Sequence, residues 1–314
     1  MTGNDVLFIE ALETKNLDLL KQIPKSDLHN HGPLGSRLNA LQKHTDKIIP
    51  KPPARFADII EMNTYLFTQL RPFILSREGM TLAMTLAFEQ AKEDGVHKLE
   101  MSFDCTNLTF FDNDIATFTK FLNNTHQKVA PEIEYNPEIG FARDMDVAEA
   151  EKLVIPLIES GYFKSIDLYG NELIRSAEAY VYIYSTAEKY KMKLKAHSGE
   201  FGDAKSVRQT IETLHLNEVQ HGVSIASDKE IMNWVKNNNI RLNVCPTSNI
   251  ILGRTTDLAS HQARVLYDNG VFITINSDDI MLFDQSVSEE YMNLFEAGLF
   301  TASELNSIRE QGLN

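Results

Sequence analysis

Residues 163–200 read FKSIDLYGNELIRSAEAYVYIYSTAEKYKMKLKAHSGE. An alternating, β-branched run at 163–170 gives way to a helical pattern over SAEAYVYIYSTAEKYK and then to a second alternating run at 191–199, a strand–helix–strand unit. Outward from it, similar runs stand at 26–31, 96–104 and 132–142 on one side and at 218–224, 240–246 and 271–278 on the other. Helical patterns lie between them, such as REGMTLAMTLAFEQAKEDG at 77–95, which closes on a glycine. Strand and helix alternate about eight times with no Pro/Gly/Ser-rich linker or low-complexity tract between, which predicts one parallel α/β unit over residues 1–314, a single (β/α)8 barrel. An open doubly wound sheet is the rival architecture, but its GxGxxG after the first strand is absent.

The interval between the first two strands is about twice the others and holds KPPARFADIIEMNTYLFTQLRPFI at 51–74. Insertions in βα connections sit at the C-terminal mouth of a barrel. Phe56, Ile60, Met62, Leu66 and Phe67 are expected for the most part to pack against the barrel; a pocket wall or lid is the other reading.

With 314 residues, 43% hydrophobic and 24% charged, the chain has an ordinary globular composition. A formal charge of −14 argues against the clustered basic surface that nucleic-acid and anionic-membrane binders need, so no nucleic-acid or membrane partner is expected. The two cysteines, Cys105 and Cys245, are far apart and without CxxC spacing, which suits a reducing compartment and two small buried residues. The acidic, amphipathic N-terminus lacks a signal-peptide pattern, and no stretch reaches the roughly 18 apolar residues of a membrane span, so a cytoplasmic location is expected.

The ionisable residues fall at predicted strand ends: His29 and His31 on the first, His197 and Glu200 on the fifth, His221 on the sixth, Asp278 and Asp279 on the eighth. In a parallel barrel those ends converge on one mouth. His29 and His31 alternate along a strand and so share a face, about 7 Å apart. Three imidazoles and a carboxylate with an open position describe a catalytic divalent-metal site, zinc or another first-row ion. Glu200, three residues after His197, suits proton transfer if buried, and is otherwise a solvated loop or helix-start carboxylate. His221 precedes Gly222, which permits a tight turn and a close ligand approach; a buried structural histidine is the alternative. Asp278-Asp279 after an apolar strand is costly without a cation, although SDD is also a helix-cap pattern.

Taken in order, PKSDLHNHGPLGS (24–36), IDLYGNE (166–172), KAHSGE (195–200), QHGVSI (220–225), VCPTSN (244–249) and TINSDDIMLF (274–283) resemble the six motifs of the adenosine deaminase family of metal-dependent barrel deaminases. The resemblance spans nearly the whole chain. It implies one zinc per chain on His29, His31, His197 and Asp278, with Glu200 protonating a purine ring at N1 while activated water attacks the amino-bearing carbon and ammonia leaves. His221 and Asp278 would orient and deprotonate that water, Gly170 would give a backbone contact to the ring, and Asp279 a hydrogen bond to N7. The substrate expected is a small-molecule purine: adenosine or 2′-deoxyadenosine first, then adenine or an N6-modified adenine compound.

The chain departs from the family pattern in places. After the HxH, family members carry Leu-Asp-Gly, whose aspartate contacts ribose, whereas this chain reads Gly32-Pro33-Leu34-Gly35-Ser36. Ser102 replaces an arginine in EMSFDC, and Ile280 stands where a proline follows the paired aspartates. The chain ends at REQGLN, for which an abbreviated last barrel helix or a truncated sequence is expected. Two other functions compete: a different amidohydrolase chemistry on a cyclic amide or ester, and a catalytically dead barrel acting as a binding protein. Two-metal relatives use a carboxylated lysine at the end of the fourth strand, which here ends LYGNE.

Overall fold

The computed structural model describes residues 2–314. The eight runs form β1 (Lys25–His31), β2 (Val96–Asp104), β3 (Glu134–Ala142), β4 (Ser165–Tyr169), β5 (Lys193–Ser198), β6 (Glu218–His221), β7 (Arg241–Val244) and β8 (Phe272–Ile275). Each strand pairs in parallel with the next in chain order, which makes a (β/α)8 barrel. The sixth run stops at His221 because His221 and Gly222 take φ of 66° and 70°, outside the β region.

Period-2 alternation sorts the strand residues by face. Ile166, Leu168, Leu194 and Ala196 join the apolar core between strands and helices, whereas Glu100, Glu138, Lys195 and Glu218 meet inside the barrel. Lys195 is fully buried, pairs with Glu100 and, at 2.9 Å, with Glu138, and donates to the Leu28 carbonyl at 3.0 Å. Lys193 bridges Glu100 and Glu218 at 2.7 and 2.9 Å. Buried charges persist only when paired in this way.

The seam between β8 and β1 is closed largely by the residues that follow β8. The Asn276 amide oxygen accepts the Leu28 N–H at 2.8 Å, doing the work of a backbone carbonyl, and the Asp278 N–H donates to the His29 carbonyl at 2.9 Å. The Ser277 N–H and hydroxyl both donate to Asp27. Asn276→Ala leaves the buried Leu28 N–H without its partner, an expected loss of ~1–3 kcal/mol in denaturant unfolding; unaltered stability would show that the seam does not need this bond.

The inserted segment forms helix Ile59–Tyr65, a π turn at Leu66–Leu70 and helix Arg71–Ile74. The π turn precedes Pro72, which has no N–H for the α pattern. Phe56, Leu70 and Ile74 pack with Leu252, Met281 and Phe283 in a second apolar cluster. The last helix runs for 12 residues, Ala302–Leu313, and buries Leu305 and Ile308 in the main core. Among the described residues no helix is long and apolar enough to cross a membrane.

Candidate active site

The mouth of the barrel gathers the residues that the sequence scatters. His29 Nε2 lies 3.1 Å from His197 Nε2 and 3.7 Å from Asp278 Oδ1; His31 Nε2 is 3.5 Å from the same oxygen. The His29 and His31 rings are 5.4 Å apart, closer than an ideal strand spacing. His221 Nε2 faces Asp278 Oδ2 at 3.8 Å and Glu200 Oε1 at 3.6 Å. Asp278 adopts φ 59°, in the left-handed region that aspartate tolerates better than most side chains, as does His221 at φ 66°.

The outer nitrogens of two imidazoles are held from behind. His197 Nδ1 is 3.1 Å from Asp167, and His29 Nδ1 is 3.4 Å from the Asn243 carbonyl. Each ring therefore turns Nε2 toward one common point, the arrangement by which surrounding groups orient metal-binding histidines. Burial pulls the pKa of His29 well below the ordinary histidine range and lowers that of His31. Burial acts likewise on His197, but the adjacent Asp167 outweighs it and lifts the pKa to about 9. Crowded imidazole nitrogens beside a carboxylate, buried except for a partly exposed His31, fit a divalent cation: the N/O donor set matches zinc and other first-row ions.

Cys245 lies 3.3 Å from His29 Nδ1, on the side away from this point, and burial holds its thiol well above the usual range. It behaves as the small buried residue expected, as does Cys105. Lys195 sits two residues before His197 on β5, tied to its carboxylates, which raise its pKa and keep it protonated, unable to react as a free amine.

Glu200 is buried, not a solvated loop residue. Burial first, and Asp278 second, raise its carboxyl to about 8, so it carries a proton at neutral pH. The loop that presents it is pinned by Glu172, whose carboxylate accepts the Gly199 N–H at 2.7 Å and the Phe201 N–H. Asp279 occupies the cap position of the short helix Ile280–Phe283 but makes no side-chain capping bond, so the cap reading fails. Its Oδ1 is buried without a partner, and burial together with Asp278 pushes its pKa well above the carboxylate range.

These groups open into a cavity of about 620 Å³ at the mouth. Ile60, Met62, Leu66 and Phe67 line it, so the inserted segment walls the pocket, contrary to the expectation that most of these residues pack against the barrel; Phe56 alone among the five does only that. Gly170 lines it with φ 88°, and a side chain there would meet only the Arg143 nitrogen, at 3.8 Å, which leaves the backbone open to the cavity. Gly222 differs from expectation. A Cβ there would come within 2.7 Å of Leu242, so its smallness serves packing and not ligand approach.

Over this geometry, a sequence profile described as "Adenosine deaminase" matches residues 24–314. The chain belongs to the adenosine deaminase family. It is 31% identical over 287 residues to a putative adenosine/adenine deaminase of Treponema pallidum, covering 91% of this chain and 96% of that one. It is 27% identical over 298 residues to the adenine deaminase of Chlorobium phaeobacteroides, with 89% and 87% covered. Among solved structures of similar fold, an amidohydrolase with bound Zn from Burkhoderia ambifaria superposes with a TM-score of 0.80 at 20% identity, covering 100% of this chain and 88% of that one. An Arabidopsis N6-mAMP deaminase gives 0.79 at 18% identity, with 93% and 92% covered.

Sequence reasoning passed over several residues of this centre. Asp167 and Glu172 lie inside IDLYGNE and Asn249 inside VCPTSN, so motif membership was the available signal. Nothing in the surrounding ASHQAR marks His261, which stands behind Asn249.

Proposed function

We propose that the protein is a metal-dependent hydrolytic deaminase of an adenine-type purine, with adenine itself ahead of adenosine. The observation that carries the reading is the convergence of His29, His31, His197 and Asp278 beside a buried, protonated Glu200 at the floor of one cavity. Those four residues would hold the ion. A divalent cation bound there lowers the pKa of a water toward neutrality.

The remaining chemistry belongs to side chains of this chain. Water adds to the amino-bearing C6 while Asp278 accepts one of its protons and Glu200 gives its own to ring nitrogen N1. Return of the Asp278 proton to the amino group releases ammonia, and the new hydroxyl returns a proton to Glu200, leaving an oxo purine. His221 orients the water. Asp279, protonated, donates to N7, and Gly170 offers its backbone to the ring edge.

Adenine is favoured over adenosine by the wall above the centre. Pro33 stands where the family pattern has its ribose-contacting aspartate, and Pro33 and Leu34 face the cavity without a polar group for sugar hydroxyls. The adenine deaminase named among the relatives supports the same ordering. The cavity also exceeds a bare purine in volume, leaving room for a substituted one, and the N6-mAMP deaminase of similar fold supports an N6-modified adenine compound as the second reading.

Release of ammonia or methylamine from adenine, adenosine, 2′-deoxyadenosine, N6-methyladenine and N6-methyl-AMP tests this. The expected order in kcat/KM places adenine at least ~10-fold above either nucleoside, the value of about one lost polar contact. A preference for adenosine would reverse the assignment, and inactivity on all five with metal bound would reject it. Asp167→Asn is expected to weaken metal affinity about 10–100-fold in chelator competition, since it removes the group that orients His197. Wild-type affinity in that variant would show that the ring is oriented without it.

A further inference from the structure

Behind His221 three buried side chains stand in single file. The Ala263 N–H donates to His261 Nδ1 at 3.1 Å, His261 Nε2 lies 3.2 Å from Asn249 Oδ1, and Asn249 Nδ2 lies 3.2 Å from His221 Nδ1. His261, Asn249 and His221 are each at most 1% exposed, and neither His261 nor Asn249 lines the cavity.

The protons in this file are fixed from its far end. A backbone N–H can only donate, so His261 Nδ1 is bare and the ring is neutral with its one proton on Nε2. Burial, which lowers the pKa of His261 to about 4, agrees with a neutral ring. The Nε2–H requires an acceptor, so Asn249 presents its oxygen to His261 and its NH2 to His221. His221 Nδ1 must then accept. That excludes the doubly protonated ring and leaves the single proton on Nε2, the nitrogen that faces Glu200 and Asp278.

We propose that His261, acting through Asn249, is a positioning residue that fixes His221 as the Nε2–H tautomer, so that His221 donates a hydrogen bond to the attacking water and does not take its proton. The water O–H that breaks on attack at C6 then gives its proton to Asp278 alone. This narrows the shared deprotonating role expected of His221 and Asp278, and it rests on the hydrolytic reading above.

Long-range proton–nitrogen correlation spectra of zinc-loaded enzyme labelled with 15N-histidine read the tautomer directly, with His221 assigned by the signals lost in His221→Asn. The expected signature is a bare, pyridine-type Nδ1 and a protonated, pyrrole-type Nε2. Asn249→Asp turns the middle of the file into an acceptor on both sides. It should invert His221 to Nδ1–H and lower kcat by ~10²–10⁴-fold, the scale of a misplaced catalytic proton, with KM little changed. His261→Phe frees the Asn249 amide to rotate and should mix the two signatures, while His261→Gln, which keeps an N–H donor, should restore the wild-type one. A wild-type His221 protonated on Nδ1, or an unaltered His221 signature in both His261→Phe and Asn249→Asp, would overturn the proposal. Inactivity on every purine with the expected signature present would reject the reaction and leave the tautomer assignment standing.

Discussion

Glu200→Gln is expected to lower kcat by ~10²–10⁴-fold with metal content unchanged, the range for loss of a positioned general acid. The substitution keeps the size of the side chain and removes only its transferable proton. Glu200 suits this role because burial and Asp278 hold its carboxyl at about 8. In the wild type, turnover should fall as pH rises and Glu200 loses its proton; the variant should lack that limb. The same shift has an opposite consequence for stability. A carboxyl whose folded pKa is raised from 4.5 to about 8 does not destabilise the fold below about pH 4.5, and its destabilising effect grows as pH rises to about 8. Metal-free Glu200→Gln should therefore melt above metal-free wild type at pH 8. Turnover within twofold of wild type would remove Glu200 from the chemistry, whatever the melting temperature.

The second large effect is expected from His29→Ala, which should leave the protein without stoichiometric metal and with turnover reduced by more than ~10³-fold. His29 is the centre of the cluster: its ring packs edge-on against those of His31, His197 and His221, with centroids 5.4, 4.7 and 4.7 Å away. Its loss both removes a donor and loosens the others. Chelation of the wild type should produce the same inactivity, reversed by zinc or another first-row divalent ion, which His29→Ala should not recover. Chelation should also lower the melting temperature, since an ion at 1,000 times its Kd stabilises the folded state by about 4 kcal/mol. Metal analysis giving one ion per chain in His29→Ala, or full activity after exhaustive chelation of the wild type, would displace the ligand set from this position.

What the sequence determined by itself is everything that depends on local period. Alternation at two residues placed Ile166 and Leu168 on one face of β4 and Asp167 on the other, and put His29 and His31 side by side. Strand ends could be read from the chain, and with parallel strands they lead to one mouth, so His197, Glu200, His221 and Asp278 could be grouped before any coordinates. The tertiary structure alone decided which atoms meet. Leu28 and Asn276 are 248 residues apart, and only barrel closure makes the amide of one the backbone partner of the other. Lys195 reads as a polar residue in an alternating strand until β2 and β3 bring Glu100 and Glu138 around it. The pocket wall at Ile60 and Phe67 and the proton file through His261 belong to the same class. A period records which way a side chain points relative to its own neighbours, whereas hydrogen-bond partners and raised carboxyl pKa values depend on what distant segments place opposite it and on how much water they exclude.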